Sequence, residues 1–353
     1  MAVPPPGASD PLIPAALAAR FAAGVARAVQ STPEARYSSA GWGLAGDGAP
    51  AQEAPLARLA LAISGGPDSM AMLALATAAF PGRVIAATFD HGLRPASATE
   101  AAMVADWCAS RAISHATLRP DQPLPASNVQ AAARSARYAA LGRWAADGGA
   151  PLLATAHHAD DQAETFLMRA NRGSGPTGLA GIRRARPLCD GVTLIRPLLD
   201  WRRAELGQVA AHLPVVQDPS NADRHYTRVR ARHWLAANPE LDPAQLARAA
   251  DHVADIAADL DELADWAWQT RQGPDGLDVA GLPRALRRLL ARRGIAVLRA
   301  EEGIAAPAFG PASNVEPLLD ALGAGCRATQ GGVLVTPRGA NWRFAVAPTR
   351  RNG

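Results

Sequence analysis

Lysine is absent: all 36 basic residues of this 353-residue chain are arginine. That excludes Schiff-base or pyridoxal chemistry on a lysine of the chain. It also excludes the Walker phosphate loop, whose Gly-Lys-Ser/Thr end brings an amine to the phosphates. Cysteine is scarce. Cys108, Cys189 and Cys326 lie far apart with no Cys-x-x-Cys pair, so no local zinc or iron–sulfur motif can be read. Free, mostly buried thiols in a reducing compartment are expected. No apolar run approaches the roughly 18 residues of a membrane span. The N-terminus carries Pro4-Pro5-Pro6 and no basic stretch before an apolar one, so it does not read as a signal peptide. A cytoplasmic protein without membrane attachment is expected.

What is present starts at Leu59-Ala60-Leu61-Ala62-Ile63. This apolar run of strand length ends in Ser64-Gly65-Gly66-Pro67-Asp68-Ser69 and passes at once into a helical pattern through Leu75. Two glycines let the backbone turn tightly and bring N–H groups close to a ligand. The helix start adds unpaired donors and the positive end of its dipole, a cradle for phosphate or pyrophosphate. A plain Gly-Gly turn is the bland alternative. The loop resembles the pyrophosphate loop of the N-type ATP pyrophosphatases, which split ATP between its α and β phosphates. A carboxylate beside polyphosphate is repelled unless a cation lies between them, so Asp68 is a candidate magnesium ligand as well as a helix cap.

From Leu56 strands and helices alternate, with strands expected over 83–90, 114–118, 151–156 and 193–198. That order predicts an α/β fold: a parallel sheet with helices on both faces, and ligands beyond the carboxyl ends of its strands. The polar clusters fall at such ends. One is Asp90-His91-Gly92-Leu93-Arg94, whose arginine can neutralise a departing pyrophosphate. Another is His157-His158-Ala159-Asp160-Asp161-Gln162-Ala163-Glu164-Thr165. With a helix starting near Asp160, Asp161 and Glu164 are one turn apart on one face. Such a pair can hold an ammonium group, bind magnesium or take a proton; it can also simply cap the helix. Asn171 to Leu179 is a Gly-rich cover or a surface connection.

Charge is uneven along the chain. Residues 183–232 carry 10 Arg against 5 acids, 233–282 carry 2 against 10, and 283–353 carry 11 against 4. Two basic blocks around an acidic helix fit either a polyanion larger than ATP or a solvated surface. The acidic helix has one apolar stripe from Leu246 to Ala267 and reads as a packing element. Beyond it lie a basic helix over 282–298 and a hairpin over 332–346.

Ser64–Ser69, Asp90–Arg94, Arg134–Tyr138, His157–Thr165, Arg172–Leu179, Arg196-Pro197-Leu198-Leu199 and Asp218-Pro219-Ser220-Asn221 occur in the order of the tRNA(Ile)-lysidine synthetase family, which the chain resembles over about residues 56–235. The resemblance implies an adenine nucleotide α-hydrolase-like sheet domain, then a helical segment and a small α+β C-terminal domain. It implies an enzyme that joins free L-lysine to C2 of the wobble cytidine (position 34) of tRNA(Ile) with the CAU anticodon. The route is an adenylated cytidine, with ATP becoming AMP and pyrophosphate and Mg2+ assisting. Catalytic roles would fall to Asp68, Arg137, Asp161 and Glu164. ATP would be held by Ser64, Gly65, Gly66, Pro67, Asp68, Ser69, Asp90, His91, Arg94 and His157. Lysine would be held by Asp161 and Glu164, and tRNA by Arg172, Arg224, Arg228, Arg230 and Arg232.

The expected organisation is a disordered extension over 1–54 containing one amphipathic helix at 14–29. Then come a catalytic domain over 55–220, a helical tRNA-binding or linking segment over 221–275, and a small basic domain over 276–353. A monomer and a homodimer both fit. One departure stands out: the family pattern Arg-Asn-x-Ile-Arg is Arg228-Val229-Arg230-Ala231-Arg232 here, which loses an amide and keeps the arginines. Two rivals remain. A tRNA thiolase of the same ATP fold is disfavoured by the scattered cysteines, and a non-catalytic tRNA-binding protein would leave the Ser-Gly-Gly-x-Asp-Ser turn without purpose.

Overall fold

The computed structural model describes residues 13–31, 57–92, 96–122, 129–216, 227–310 and 313–348. They form two compact units, divided between Val253 and Ala254. Among the described residues no helix is long and apolar enough to cross a membrane.

The first unit is built on one sheet of β1 (Leu59–Ala62), β2 (Val84–Phe89), β3 (Ser114–Leu118), β4 (Leu152–Ala154), β5 (Ala185–Cys189) and β6 (Val192–Ile195), in the order β3-β2-β1-β4-β6-β5. Every neighbouring pair is parallel except β5 with β6. Central parallel strands are covered on both faces, which is why β1 and β4 are apolar throughout and β2 is apolar but for Thr88, rather than alternating. The helices are α1 (Ala15–Gln30), α2 (Pro67–Ala79), α3 (Ala96–Ala109), α4 (Val129–Asp147), α5 (Ala159–Ala170), the short α6 (Pro176–Leu179), α7 (Arg203–Ala210), α8 (Thr227–Ala237) and the start of α9 (Pro243–Thr270). One core joins Phe21 of α1, Met70 and Leu73 of α2 and Leu206 of α7 with Leu59 and Leu61 of β1. A second joins Tyr138 and Leu141 of α4 with Leu153 and Leu194. Strand order reverses between β1 and β4, and the crevice at their carboxyl ends is where such sheets bind ligands.

The helix expected at 14–29 is α1, and it is part of the core. Phe21, Val25 and Ala28 are buried, and Arg20 and Arg27 reach Glu205 (2.5 Å) and Asp200 (2.8 Å). Gly24 explains the close approach: a Cβ there would lie 2.3 Å from the carbonyl oxygen of Pro197. Gly24→Ala is therefore expected to destabilise the fold by about 2–3 kcal/mol, despite alanine's better helix propensity. Urea unfolding measures it, and an unchanged midpoint would mean that α1 is not docked as described.

In the second unit, β7 (Gln272–Gly273), β8 (Gly276–Asp278), β9 (Ala328–Gln330), β10 (Val333–Arg338) and β11 (Asn341–Val346) form an antiparallel sheet in the order β7-β8-β11-β10-β9. It packs with α10 (Arg284–Glu301) and α11 (Glu316–Gly323) around Leu290, Ile295, Leu318, Val335 and Trp342. The expected hairpin is β10–β11. Most of the α10 arginines serve the fold. Arg284 binds Glu316 and Asp320, Arg288 binds Glu316, Arg293 binds Asp265, and Arg292 donates to the Ser313 carbonyl. The thiols differ from expectation: all three are free, but only Cys108 is buried, because Cys189 lies on edge strand β5 and Cys326 just past α11.

Candidate active site

The phosphate loop follows β1. Gly65 takes φ +80°, a conformation that favours glycine, and its carbonyl accepts from Val216 N–H (2.9 Å). Gly66 is the N-cap of α2 with Pro67 at its first position, so no cap side chain covers the first-turn N–H groups. Ser69 is nearly buried; its hydroxyl donates to the Gly66 carbonyl (2.9 Å) and accepts from Ser64 N–H (3.2 Å), closing the loop on itself. The backbone donors are left for an anion.

Across the crevice β4 runs out into His157 and α5. The N-cap of α5 is His158, whose Nδ1 accepts from Asp161 N–H (3.4 Å) while Asp161 Oδ2 accepts from His158 N–H (3.2 Å). With Nδ1 an acceptor, a neutral His158 carries its proton on Nε2. That atom is buried, 3.5 Å from Asp68 Oδ2 and 3.7 Å from Asp161 Oδ2, with neither in full hydrogen-bond geometry. The histidine thus links the phosphate loop to the acid pair. Sequence alone points to His157 and gives His158 no role; the place of His158 three residues before Asp161, at a helix start, is the available signal.

The acids of α5 face arginines of α8. Glu164, 1% exposed, accepts from Arg232 Nε (2.8 Å) and lies 3.9 Å from Arg203. Arg228, one turn before Arg232, acts electrostatically on Asp161. Burial pushes the Asp161 carboxyl up, but His158, His157 and Arg228 outweigh that and hold it below its usual range. Arg232, expected on tRNA phosphates, is thus engaged with Glu164, while Arg172, Arg228 and Arg230 are on the surface.

At the end of β2, Asp90 is 5% exposed and uses its carboxylate locally. Oδ1 accepts from the Ser97 hydroxyl (2.6 Å) and Gly92 N–H (2.8 Å), and Arg119 lies 3.4 Å from Oδ2. It shapes the turn. His91 follows it, with Arg137 near enough to act on its charge. Arg94, Arg224 and Asp218–Asn221 lie outside the described residues.

The two histidines have opposite electrostatics. Burial lowers the pKa of His158, but Asp68 and Asp161 override it and the net shift is upward. Its protonation stabilises the fold below about pH 6.5, and the gain fades as pH rises through the folded pKa. Burial, with Arg196, Arg228 and Arg134 outweighing Asp161, lowers His157 to about 3. The unfolded chain then takes that proton first, so stability falls as pH drops below about 6.5. His157→Asn should flatten this acid-side decline in urea midpoints; an unchanged profile would remove His157 as its source.

The PP-loop domain family model matches residues 48–239. A tRNA(Ile)-lysidine synthase from Novosphingobium aromaticivorans is 44% identical over 84% of this chain and 91% of its own length. The chain belongs to the tRNA(Ile)-lysidine synthase family. A second tRNA(Ile)-lysidine synthase, from Zymomonas mobilis, is 38% identical over 83% of this chain and 90% of its own. Among solved structures, the U34-tRNA thiolase NcsA from Methanococcus maripaludis aligns at TM-score 0.47 and 16% identity, over 67% of this chain and 80% of that one, too distant to inform function. As a tRNA(Ile)-lysidine synthase family member the chain is a ligase forming a carbon–nitrogen bond, with an ATP-binding PP-loop domain.

Proposed function

We propose that this chain ligates L-lysine to C2 of the wobble cytidine of tRNA(Ile) with the CAU anticodon, in the cytoplasm, through an adenylated cytidine. The observation that carries the reading is the approach of Asp68 and Asp161 to one buried nitrogen of His158. Phosphate loop and acid pair share a single crevice.

The C2 oxygen of cytosine is a poor leaving group. Its attack on the ATP α-phosphorus expels pyrophosphate and turns it into a phosphate ester. The lysine ε-amine, with an ordinary pKa of about 10.4, then loses a proton and attacks C2 while AMP departs. The Gly65–Ser69 backbone donors receive the pyrophosphate, and Arg137 lies beside the reacting groups. Asp68, on the first turn of α2 and about a third exposed, would hold the magnesium that accompanies ATP, which would supply charge neutralisation on the phosphates. Asp161 and Glu164 receive the lysine ammonium. A carboxylate held below its usual range binds an ammonium well and takes its proton poorly, so binding is the role that electrostatics favours for Asp161.

Omitting lysine separates the steps. Pyrophosphate release should then require both ATP and the cognate tRNA and stop near one equivalent per tRNA. Release without tRNA, or none until lysine is added, would contradict the adenylated intermediate.

A further inference from the structure

Many arginines of the first unit are matched to acids: Arg20 to Glu205, Arg27 and Arg184 to Asp200, Arg202 to Asp160 and Asp242, Arg232 to Glu164. Arg134 and Arg137 of α4, Arg186 of β5 and Arg196 beyond β6 have no carboxylate partner among the described residues. They gather on one tyrosine. The guanidinium carbons of Arg134, Arg137 and Arg186 lie 4.9, 5.1 and 5.1 Å from the Tyr138 ring centre. The charge of Arg196 acts on the same phenol. Arg186 sits opposite Leu194 in the β5–β6 pair, and Leu194 packs with Tyr138. The antiparallel edge strand thereby delivers Arg186 to the face that α4 covers.

Arg196 is the most informative of the four. It is 4% exposed, its Nε is buried without a partner, and one terminal nitrogen donates to the Arg183 carbonyl. The buried Tyr138 hydroxyl makes no hydrogen bond of full geometry, though Tyr138 is near enough to favour the Arg196 charge in part. A buried guanidinium among like charges is costly unless an anion joins it in the working state. Burial first, then Arg186 and Arg134, lower its pKa to about 10, so it stays charged at neutral pH.

Exposure rises from buried Arg196 through half-buried Arg186 and Arg137 to exposed Arg134. A basic track open at one end fits a polyanionic strand entering from solvent. Its inner end acts on His157, at the tip of β4, whereas the triphosphate has separate donors on the β1–α2 loop.

We propose that Arg134, Arg186 and Arg196, gathered round Tyr138, form a subsite for backbone phosphates of the tRNA, leading the strand with the reacting base toward His157. The identity of the strand rests on the proposed function; the phosphate chemistry does not. Binding of the full chain to the tRNA transcript, measured across a salt series without lysine, tests it. In the Arg134→Ala/Arg186→Ala variant the slope of log affinity against log salt should become shallower by about 2, roughly 1 per arginine. ATP affinity without tRNA should be unchanged. Arg134→Lys/Arg186→Lys, which keeps the charges, should retain most of the slope. Wild-type tRNA affinity and slope in the double alanine variant would overturn the subsite. So would a parallel loss of ATP affinity, which would assign it to the nucleotide. Because no turnover is read, the subsite can stand with lysine ligation refuted, and the reverse.

Discussion

Asp161→Asn is expected to lower kcat/KM for lysine by about 10- to 100-fold while leaving the fold and lysine-independent pyrophosphate release nearly unchanged. Asparagine keeps an oxygen that can accept from His158 N–H, so the start of α5 survives. What disappears is the charge. A charge-assisted contact to an ammonium contributes about 1.5–3 kcal/mol, and this carboxylate is shielded from water. Its low pKa keeps it ionised throughout the working range, so the loss should fall on lysine KM more than on kcat. Lysine titrations at saturating ATP and tRNA measure the split. An unchanged KM would remove Asp161 from the lysine site.

Arg232→Ala is expected to cost about 2–4 kcal/mol of folding stability. Glu164 is buried, Arg232 Nε is 2.8 Å from its Oε1, and its Oε2 is buried with no hydrogen-bond partner. Among the described residues, truncation leaves Arg203, at 3.9 Å, to offset that charge. Arg232 itself is 34% exposed, which places the cost below that of a sealed pair. Pairing the change with Glu164→Gln should recover much of the loss, because no uncompensated charge then remains. Urea unfolding of the two single variants and the double gives the coupling. Additive losses would mean that the pair does not tie α8 to α5.

These two residues mark where the sequence was legible and where it was not. The central strands could be read because parallel strands covered on both faces are apolar runs, and the phosphate loop because two glycines and a helix start leave a local signature. Strand β5 went unread. Ala185-Arg186-Pro187-Leu188-Cys189 has no strand alternation, and its proline is tolerated because the strand lies at the sheet edge, where its register with β6 is irregular. The C-terminal hairpin was readable, but three shorter strands beside it were not, since β7 to β9 span only two or three residues each. In the site, the acid pair and the loop were visible separately. The His158 link from Asp68 to Asp161 joins residues about ninety positions apart, and Arg232 reaches Glu164 across 68; local periodicity cannot encode either. Basic residues were the least legible. Arg232 reads as a phosphate contact in sequence, and Arg284 and Arg288 belong to a basic block that fits a polyanion, but all three are ion-paired in the fold, whereas nothing local marks Arg186, which β5 places beside Tyr138.

The most direct measurement is incubation of the full chain with ATP, radiolabelled lysine and a panel of tRNA transcripts. The account predicts acid-stable label on the isoleucine transcript with the CAU anticodon alone, with AMP formed in equal amount. Label spread across transcripts, or ATP consumed with no lysine attached, would contradict it.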